Sequence, residues 1–567
     1  MRTGAFFESS KKIVQDFLNS VVAVDDNLFF GAVYQNDTID SDDGFDSVAE
    51  DDSGLGQMAN QVVTPMQSQD NPGEHPLNYQ ELSLAFSEVG INCCAFRPDS
   101  ERFGSIEAAA DQIMRSAKRA DITILDWSMD NKFGASSGTL AKLSIDKILC
   151  DDQCQHGRLR LIVIYTGEPN RQEIAEDICR SISVADGGAI CQGETVSFRK
   201  AGLEFCQITV IEKKDDAEEL RDEVISLFTN LTTGLLSNAT LSAIGEIRDK
   251  THHILHTFNK QLDPAYLAHV IGLLSSPQVR EKSYEIAFDY ATDLISEEIK
   301  SNLQISSAVK ENLNLNRLHD WVEYTNPGQD ADFYEIKIGD ANAVGIDSER
   351  LKDLLNYESD DQLVRTLTSV PPIMRNGVKL LENFSKQKIH LKLKNIDCLS
   401  HEALSAVECK RRDFLSLKTN VSLPTVKQGT IVKKGSQYFI CMQPLCDSVR
   451  ISCSTNFIFL GITLAEQGKK FTHVLRDSQG GFVKFNIKPG SKDIHIFRLI
   501  PNAETNTAKA VFENGECKVK YLKDDNQEDC LIWFGELKTN VAQAIANHLA
   551  EQISRVGLDT NEWLRRH

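Results

Sequence analysis

Apolar runs of strand length alternate with helix-period segments along the first 236 residues. Each short run is rich in Val, Ile and Leu, and each longer segment repeats its apolar residues every three or four positions. The alternation predicts a parallel sheet of five strands, covered by helices on both faces. The predicted strands cover 20–26, 91–96, 121–126, 159–166 and 208–213, and the predicted helices cover 76–90, 105–120, 137–149, 169–182 and 216–228, with Ser105 as an N-cap.

Two segments of this region break the alternation. Residues 185–207 contain glycine-rich turns, TVSF and LEFC, and they predict an extra hairpin before the last strand. Residues 35–75 hold few large apolar side chains, and eight acidic residues fall between Asp37 and Asp52. Such a segment cannot bury enough surface to offset its ordering entropy, so we expect a disordered acidic loop.

The remaining chain changes character three times. Residues 237–325 have helix-period apolar positions, 326–424 mix short strands and helices, and 425–567 are rich in strands before a final amphipathic helix at 540–557. A chain of 567 residues is too long for one hydrophobic core. We therefore predict an α/β domain over 1–236, a helical region, a mixed α/β connector and a C-terminal β-rich α+β domain.

Composition narrows the classes of partner. The net charge of −21 disfavours nucleic-acid binding, which requires clustered Lys and Arg. No run of 18 apolar residues is present, so we expect no membrane span. The start MRTGAFFESSKK lacks a basic segment followed by an apolar run, so we expect no secretory signal and a cytoplasmic location with reduced thiols.

Candidate chemistry gathers at the predicted carboxyl ends of the strands, where sites of open parallel sheets form. The first strand ends in Asp25 and Asp26, the third in Asp126, the fourth in Thr166 and the fifth in Lys213. Two like charges about 4 Å apart repel by roughly 4 kcal/mol at an effective dielectric constant near 20, so three carboxylates need a cation. Mg²⁺, a hard cation with oxygen ligands, suits this set and suits phosphoryl transfer.

The segments VVAVDD, ITILDWSMD, VIYTG and VIEKKDDAEEL together resemble the response-regulator receiver domains, over about the first 40% of the chain. This resemblance implies a flavodoxin-like fold and a Mg²⁺ site formed by Asp25, Asp26, Asp126 and the backbone carbonyl of Ser128. It also implies that Asp126 is the residue that becomes phosphorylated.

The resemblance also implies roles for a hydroxyl and an ammonium group. Thr166 would bond to the phosphoryl group and Lys213 would pair with it, with Lys200 as the alternative lysine. Two features depart from the family pattern. The interval between Asp26 and Asp126 is unusually wide, and Lys214 stands where the family usually has proline.

A receiver domain implies a phosphodonor, which would be a histidine kinase or a phosphotransfer protein, and a downstream effector protein. Segments 437–451 and 557–567 resemble the C-terminal parts of large bacterial proteins with divergent receiver domains, some of them in phage-defence signalling operons. The expected function is a phosphorylation-controlled signalling protein whose output is a protein–protein contact.

Three alternatives stay open. The chain could act as a phosphate buffer or relay, with His253 of the pair His252–His253 exchanging phosphate with Asp126. It could carry a catalytic part in 400–567, around Cys446 and Asp447. It could also be a degenerate receiver that only binds partners.

Overall fold

The computed structural model describes most of the chain outside the acidic segment. Residues 35–75, predicted to be a disordered loop, lie outside the described residues. The described residues are 4–29, 77–154, 158–182, 189–200, 203–277, 280, 283–339, 342–356, 358–369, 389–394, 400–413, 423–448, 451–466, 471–503 and 505–554.

A seven-stranded sheet forms the centre of the amino-terminal part, in the order β2-β1-β3-β4-β7-β6-β5. The strands are β1 (Ser20–Val24), β2 (Asn92–Phe96), β3 (Ile122–Asp126), β4 (Arg160–Thr166), β5 (Ala189–Gln192), β6 (Thr195–Lys200) and β7 (Leu203–Glu212). The first four strands and β7 pair in parallel, and their order is the one expected of a flavodoxin-like sheet.

The prediction of an all-parallel, five-stranded sheet is wrong in one respect, because β5 and β6 extend the sheet with antiparallel pairs. The tight turn between them contains Gly193, whose φ of 60° is readily available only to glycine. The predicted hairpin is present, but LEFC forms the start of β7 itself. The sheet is therefore mixed.

Helices cover both faces of this sheet. Val22 and Val24 face one core together with α4, α5 and α6, whereas Val21 and Ala23 face the other core together with α1, α2 and α7. Strands buried on both faces explain the continuous apolar runs in the sequence. The helices are α1 (Ala5–Phe17), α2 (Tyr79–Ser87), α3 (Ser100–Phe103), α4 (Ile106–Ala117), α5 (Thr139–Cys154), α6 (Arg171–Ser181) and α7 (Ala217–Thr232).

The cap predicted for α4 is confirmed. The Ser105 hydroxyl accepts a hydrogen bond from the backbone N–H of Ala108 at 3.2 Å. Such a bond satisfies one of the four backbone donors that lack partners at a helix start.

A run of helices follows α7 and packs back onto the amino-terminal domain. The Asn238 amide donates a buried hydrogen bond of 2.9 Å to the Ser10 hydroxyl of α1, and Arg248 forms a 3.1 Å ion pair with Asp121. These helices are α8 (Leu235–Asp249), α9 (Thr251–Thr257), α10 (Asp263–Ser275), α11 (Ser283–Ile305), α12 (Ser307–Glu311) and α13 (Leu315–Thr325).

A small three-stranded sheet comes next, in the order β10-β8-β9. Alternate residues of β8 are buried against α13 and α14, as expected of a sheet with one covered face. Its elements are β8 (Tyr334–Ile338), β9 (Val344–Ile346), α14 (Ser348–Leu355), α15 (Asp360–Ser369) and β10 (Ile389–Leu393).

The last part is a ten-stranded antiparallel sheet that closes on itself. Six strands form the ring β12-β13-β14-β17-β19-β20, because the long strand β20 pairs with β12 and also with β19. Trp533, Phe457 and Phe459 are buried in its interior. The elements are α16 (Ser400–Cys409), β11 (Lys410–Asp413), β12 (Thr430–Lys434), β13 (Gln437–Cys441), β14 (Thr455–Leu464), β15 (His473–Arg476), β16 (Phe482–Asn486), β17 (Ile494–Leu499), β18 (Val511–Glu513), β19 (Glu516–Leu522), β20 (Glu528–Leu537) and α17 (Thr539–Ser554).

The expected mixture of α and β structure is thus confirmed, while the domain boundaries after residues 236, 325 and 424 stay predictions. Among the described helices, none combines the length and the apolar character that crossing a bilayer requires.

Candidate functional site

Five predicted site residues lie at one rim of the amino-terminal sheet. Asp25 and Asp26 directly follow β1, Asp126 ends β3, Thr166 ends β4 and Lys213 directly follows β7. All four strands run in the same direction in adjacent positions, so their carboxyl ends meet at a common edge. The connectivity of the sheet therefore places residues up to 188 positions apart side by side.

Three carboxyl groups form the centre of the site. One oxygen from each of Asp25, Asp26 and Asp126 can be chosen so that all three lie within 4.8 Å of one another. The three residues retain only 1%, 7% and 3% of their surface exposed. Within the described part of the chain, this is the one cluster of His, Cys, Asp or Glu side chains close enough to hold a metal ion.

Lys213 is the cation that the structure brings to this cluster. Its Nζ donates a 2.9 Å hydrogen bond to Asp25 Oδ2 and lies 3.2 Å from Asp126 Oδ1. The ammonium also lies 5.7 Å from the centre of the Tyr165 ring. A single lysine therefore bridges two of the three carboxylates. The charge of Lys132 also acts on Asp26, so two ammonium groups oppose up to three negative charges.

The excess of negative charge shifts the pKa values of the clustered side chains. Burial raises the pKa of Asp126 to about 7, and the charges on Asp25 and Asp26 add to this shift while Lys213 opposes it. Burial and the Asp25 charge likewise raise the pKa of Asp26. Burial also disfavours the charge on Lys213, but Asp126 and Asp25 outweigh it and raise the pKa of that lysine. A further cation would relieve this repulsion.

The carboxylate oxygens also suit a hard divalent cation. Asp26 Oδ1 is buried and accepts no hydrogen bond from the described residues. Leaving a buried carboxylate oxygen without a partner costs about 1–3 kcal/mol or more, so such an oxygen commonly has a functional role such as binding an ion. Asp25 Oδ1, by contrast, accepts a 2.7 Å bond from the Asn27 N–H, which fixes that carboxylate. Clustered carboxylates with an unused oxygen fit Mg²⁺, which binds oxygen ligands.

The loop after Asp126 is held in place by contacts that sequence reasoning missed. The Gly138 N–H donates a 3.1 Å bond to the Trp127 carbonyl. Gly138 has a φ of +80°, and a Cβ there would lie 2.2 Å from the Trp127 ring, so only glycine fits. Buried Asp130 accepts a hydrogen bond from the Leu140 N–H in the first turn of α5. The sequence DWSMD (126–130) contains Asp130 as its second aspartate, and this was the one sequence feature that could have indicated the contact.

Ser128 lies on this loop, two residues after Asp126. Its hydroxyl is 3.1 Å from the Ser137 hydroxyl and donates to Glu168 Oε1 at 3.3 Å. The role predicted for its backbone carbonyl, as a metal ligand, stays a prediction.

Thr166 is buried at the end of β4, and its hydroxyl accepts a 3.1 Å bond from the Glu168 N–H. The Thr166 carbonyl accepts a 2.9 Å bond from the Lys213 N–H, which fastens the Lys213 backbone to β4. The predicted bond from Thr166 to a phosphoryl group stays a prediction.

Tyr165 explains the departure at Lys214. The Tyr165 hydroxyl accepts a 2.7 Å bond from the Lys214 N–H and donates a 2.9 Å bond to the Lys214 carbonyl. A proline at 214 could not make the first bond, because proline has no N–H. The Lys214 ammonium pairs with Glu223 at 2.8 Å, whereas the Lys213 ammonium contacts Asp25 and Asp126. Of these two lysines, Lys213 is therefore the one in the cluster. The side chain of the alternative, Lys200, lies outside the described residues.

The alternative hypotheses rest on residues of other structural elements. His253 is exposed on α9, and Asp447 is exposed in the ring-forming region. The side chain of Cys446 lies outside the described residues.

We expect the Lys213→Met variant to be about 3 kcal/mol less stable than the native chain in chelator-treated buffer, because removing one partner strands buried charges. Mg²⁺ should then raise its melting temperature more than it raises that of the native chain, since the metal no longer competes with an ammonium. Thermal unfolding with and without Mg²⁺ measures both effects.

The Lys214→Met variant is the matched control, because its partner Glu223 lies outside the cluster and its ammonium is partly exposed. We expect it to change stability by less than about 1 kcal/mol and to leave the Mg²⁺ effect unchanged. Equal Mg²⁺ shifts in the native chain and the Lys213 variant would show that the ammonium and the metal do not share this cluster.

Comparison with protein families gives one match. The family described as "Response receiver domain" matches residues 17–217, which contain the sheet and the whole cluster. A comparison with curated proteins found no match, and neither did a comparison with solved structures. The amino-terminal part of this chain is therefore a response receiver domain.

Proposed function

We propose that this chain is a phosphoacceptor signalling protein of a two-component type, in which Asp126 receives a phosphoryl group from a histidine kinase or a phosphotransfer protein. The observation that carries the proposal is the buried cluster of Asp25, Asp26 and Asp126, bridged by Lys213 at the strand ends of a receiver domain. Perturbed carboxylates of this kind are common at catalytic sites.

In the proposed step, an Asp126 carboxylate oxygen attacks the phosphorus atom in line with the bond to the donor. The O–P bond forms, the N–P bond to the donor histidine breaks, and its electron pair returns to the imidazole nitrogen. The Lys213 ammonium holds Asp126 in place before the reaction and pairs with the phosphoryl oxygens afterwards. The Thr166 hydroxyl, at the end of the neighbouring strand β4, would bond to the same oxygens.

Asp25, Asp26, Asp126 and the Ser128 carbonyl would hold a Mg²⁺ ion. When bound, Mg²⁺ supplies positive charge to the phosphoryl oxygens and lets the clustered carboxylates stay ionised. The unused Asp26 Oδ1 and the raised pKa values of Asp26 and Asp126 support this assignment.

Phosphorylation would replace the single negative charge of the Asp126 carboxylate by a phosphoryl group that carries a charge of about −1.5 to −2 and three acceptor oxygens, in a buried position. Lys213 would then have to divide its bonds between Asp25 and the phosphoryl group, and the loops that carry Lys213 and Thr166 would shift with it. We propose that this shift changes protein–protein contacts of the receiver domain or of the C-terminal part.

A phosphate relay is the second candidate. The observation that favours it is the exposed imidazole of His253 on α9, which a receiver domain of another molecule could reach. Transfer of label between phosphorylated Asp126 and His253 would distinguish this relay from a direct output. A His253→Gln variant that labels and signals like the native chain would count against it.

The test of the main proposal is labelling by a small acyl phosphate, followed by intact-mass measurement of the full chain. We expect one phosphoryl group to be added in Mg²⁺ and almost none after chelation, because repulsion from the carboxylates then opposes the approach of the anionic donor. An absence of Mg²⁺-dependent labelling would contradict the phosphoacceptor role and favour a receiver that only binds partners.

A further inference from the structure

A cavity of about 410 Å³ lies where the amino ends of β3 and β4 meet α8. Asp121, Arg158 and Leu159 line it from just before these two strands, and residues 236–248 of α8 line it from the other side. The aspartate cluster lies at the opposite, carboxyl ends of the same strands. Pockets for small molecules commonly enclose about 300–1,000 Å³, so this cavity is large enough to hold one.

The cavity wall is mainly apolar, because six of its eleven residues are Phe, Leu or Ile. The rings of Phe17 and Phe228 stack with their centres 6.1 Å apart, and Phe228 and Leu241 are buried. Leu159 and Leu236, by contrast, are 41% and 59% exposed. The wall therefore continues from buried side chains to the solvent, and an apolar ligand chain could cover its exposed part.

Three charged side chains line the same cavity, namely Arg158, Arg248 and Asp121. Asp121 is almost fully buried, and its oxygens accept hydrogen bonds from the backbone N–H groups of Asn19 and Ser20 and from Arg248. The Asp121 carboxylate is therefore already engaged by three donors. Two guanidinium groups and one carboxylate leave the cavity lining with a net charge of +1.

Arg158 has donors to spare for a ligand. Its guanidinium donates one hydrogen bond to the Lys118 carbonyl and one of 2.7 Å to the Ala120 carbonyl, and both acceptors are neutral. A guanidinium has five N–H groups, so these bonds leave three of them. Burial and the positive charges of Arg160 and Arg248 lower the pKa of Arg158 and outweigh the nearby carboxylates, so an anion beside it would be stabilising.

We propose that this cavity binds a small amphipathic monoanion, a linear carboxylate of the fatty-acid class, with the carboxylate at Arg158. The ligand chain would lie against Phe17, Phe228 and Leu241. At about 30 Å³ for each non-hydrogen atom, the share of one water molecule in the liquid, a cavity of about 410 Å³ has room for about 13 such atoms, which is enough for decanoate. This site does not depend on the phosphoacceptor role.

The experiment is isothermal titration calorimetry of the full chain with decanoate, below its micelle concentration, and with decylammonium, which has the same chain and the opposite charge. We expect decanoate to bind at one site per chain, at least about tenfold more tightly than decylammonium, because a charge-assisted hydrogen bond is worth about that factor or more. Equal affinities for the two probes, or no binding of decanoate, would overturn the proposal.

Two variants locate the bound probe. Arg158→Met should weaken decanoate binding at least about tenfold and strengthen decylammonium binding, a pair of effects that partial unfolding cannot produce. Leu236→Glu places a carboxylate at the exposed part of the wall and should also weaken decanoate binding. Leu84→Glu is the matched control, because Leu84 is 55% exposed on α2 and does not line the cavity.

Each outcome with the variants bears on the proposal. Decanoate binding that Arg158→Met and Leu236→Glu weaken and Leu84→Glu preserves would support it. Decanoate binding that both cavity variants retain would place the probe elsewhere on the chain and overturn the site. Equal weakening by Leu236→Glu and Leu84→Glu would show that any added acid repels the probe, and would likewise contradict the assignment.

Discussion

The Asp126→Asn variant is expected to show no phosphoryl addition on treatment with an acyl phosphate in Mg²⁺, while the native chain adds one group. The amide of asparagine is a far weaker nucleophile than a carboxylate, and it cannot form the acyl phosphate product. The structure offers no second carboxylate in an equivalent position within the described site, since Asp25 is already bonded to Lys213 and to the Asn27 N–H. Intact-mass measurement gives the result directly.

Glu168→Gln is the matched control for this loss. Glu168 lies beside the same rim, where its side chain accepts hydrogen bonds from Ser128 and Ser137, and glutamine keeps an acceptor oxygen. We expect this variant to be labelled like the native chain. Loss of labelling in both variants would point to a distorted rim, and labelling of Asp126→Asn would place the acceptor elsewhere.

Asp26→Asn tests the metal assignment in the same assay. Asp26 is suited to this test because its buried Oδ1 accepts no hydrogen bond from the described residues, so replacing that carboxylate should disturb the fold little. We expect the rate of labelling to fall by roughly tenfold or more at a given Mg²⁺ concentration, because perturbing a metal site commonly weakens metal binding by about that factor. A higher Mg²⁺ concentration should restore part of the rate. Together the two aspartate variants separate the acceptor from a metal ligand.

The location of the cluster could be predicted from the sequence, because two general rules of α/β folds determine it. Apolar runs mark buried strands, and parallel strands connected by helices deliver their last residues to a common rim. Asp25, Asp26, Asp126 and Lys213 each stand at or directly after such a run, and the structure brings them together. Neither rule involves side-chain packing.

The supporting contacts could not be predicted in this way. The fit of Trp127 against Gly138 and the two bonds of the Tyr165 hydroxyl to Lys214 depend on loop conformations that no periodicity encodes. The closure of the C-terminal sheet depends on the pairing of β20 with β19 and β12. Local patterns identify strands but do not identify distant partners, so a β-rich region was predictable and its ring was not.

Arg160 is another residue whose role the pattern concealed. It lies inside the apolar run LRLIVIYT, where the sequence indicated only a buried strand. The structure buries its guanidinium, which makes a two-pronged bond to Asp152 on α5, with one N···O distance of 2.7 Å, and donates a 2.9 Å bond to the Ala117 carbonyl. This pair joins β4 to α5 and to the end of α4, far from the carboxyl rim.

Replacing Asp152 by Ala is expected to lower the free energy of unfolding of the receiver domain by about 3–5 kcal/mol, because it leaves the Arg160 charge buried without its carboxylate. The adjacent Asp151→Ala variant is the matched control. Asp151 pairs with Lys118, whose side chain is about half exposed, so its loss should cost less than about 1 kcal/mol. Thermal unfolding of the full chain, followed by far-ultraviolet circular dichroism, compares the two.

The double variant Asp152→Ala with Arg160→Met identifies the origin of the loss. If the cost arises from a stranded buried charge, replacing that charge by an apolar side chain of similar length should restore part of the stability lost in Asp152→Ala. The Arg160→Met single variant completes the comparison. If the double variant loses as much free energy of unfolding as the two single variants lose together, the two side chains act independently, and the ion pair does not hold β4 against α5. Equal stability of Asp152→Ala and Asp151→Ala would likewise contradict a buried pair.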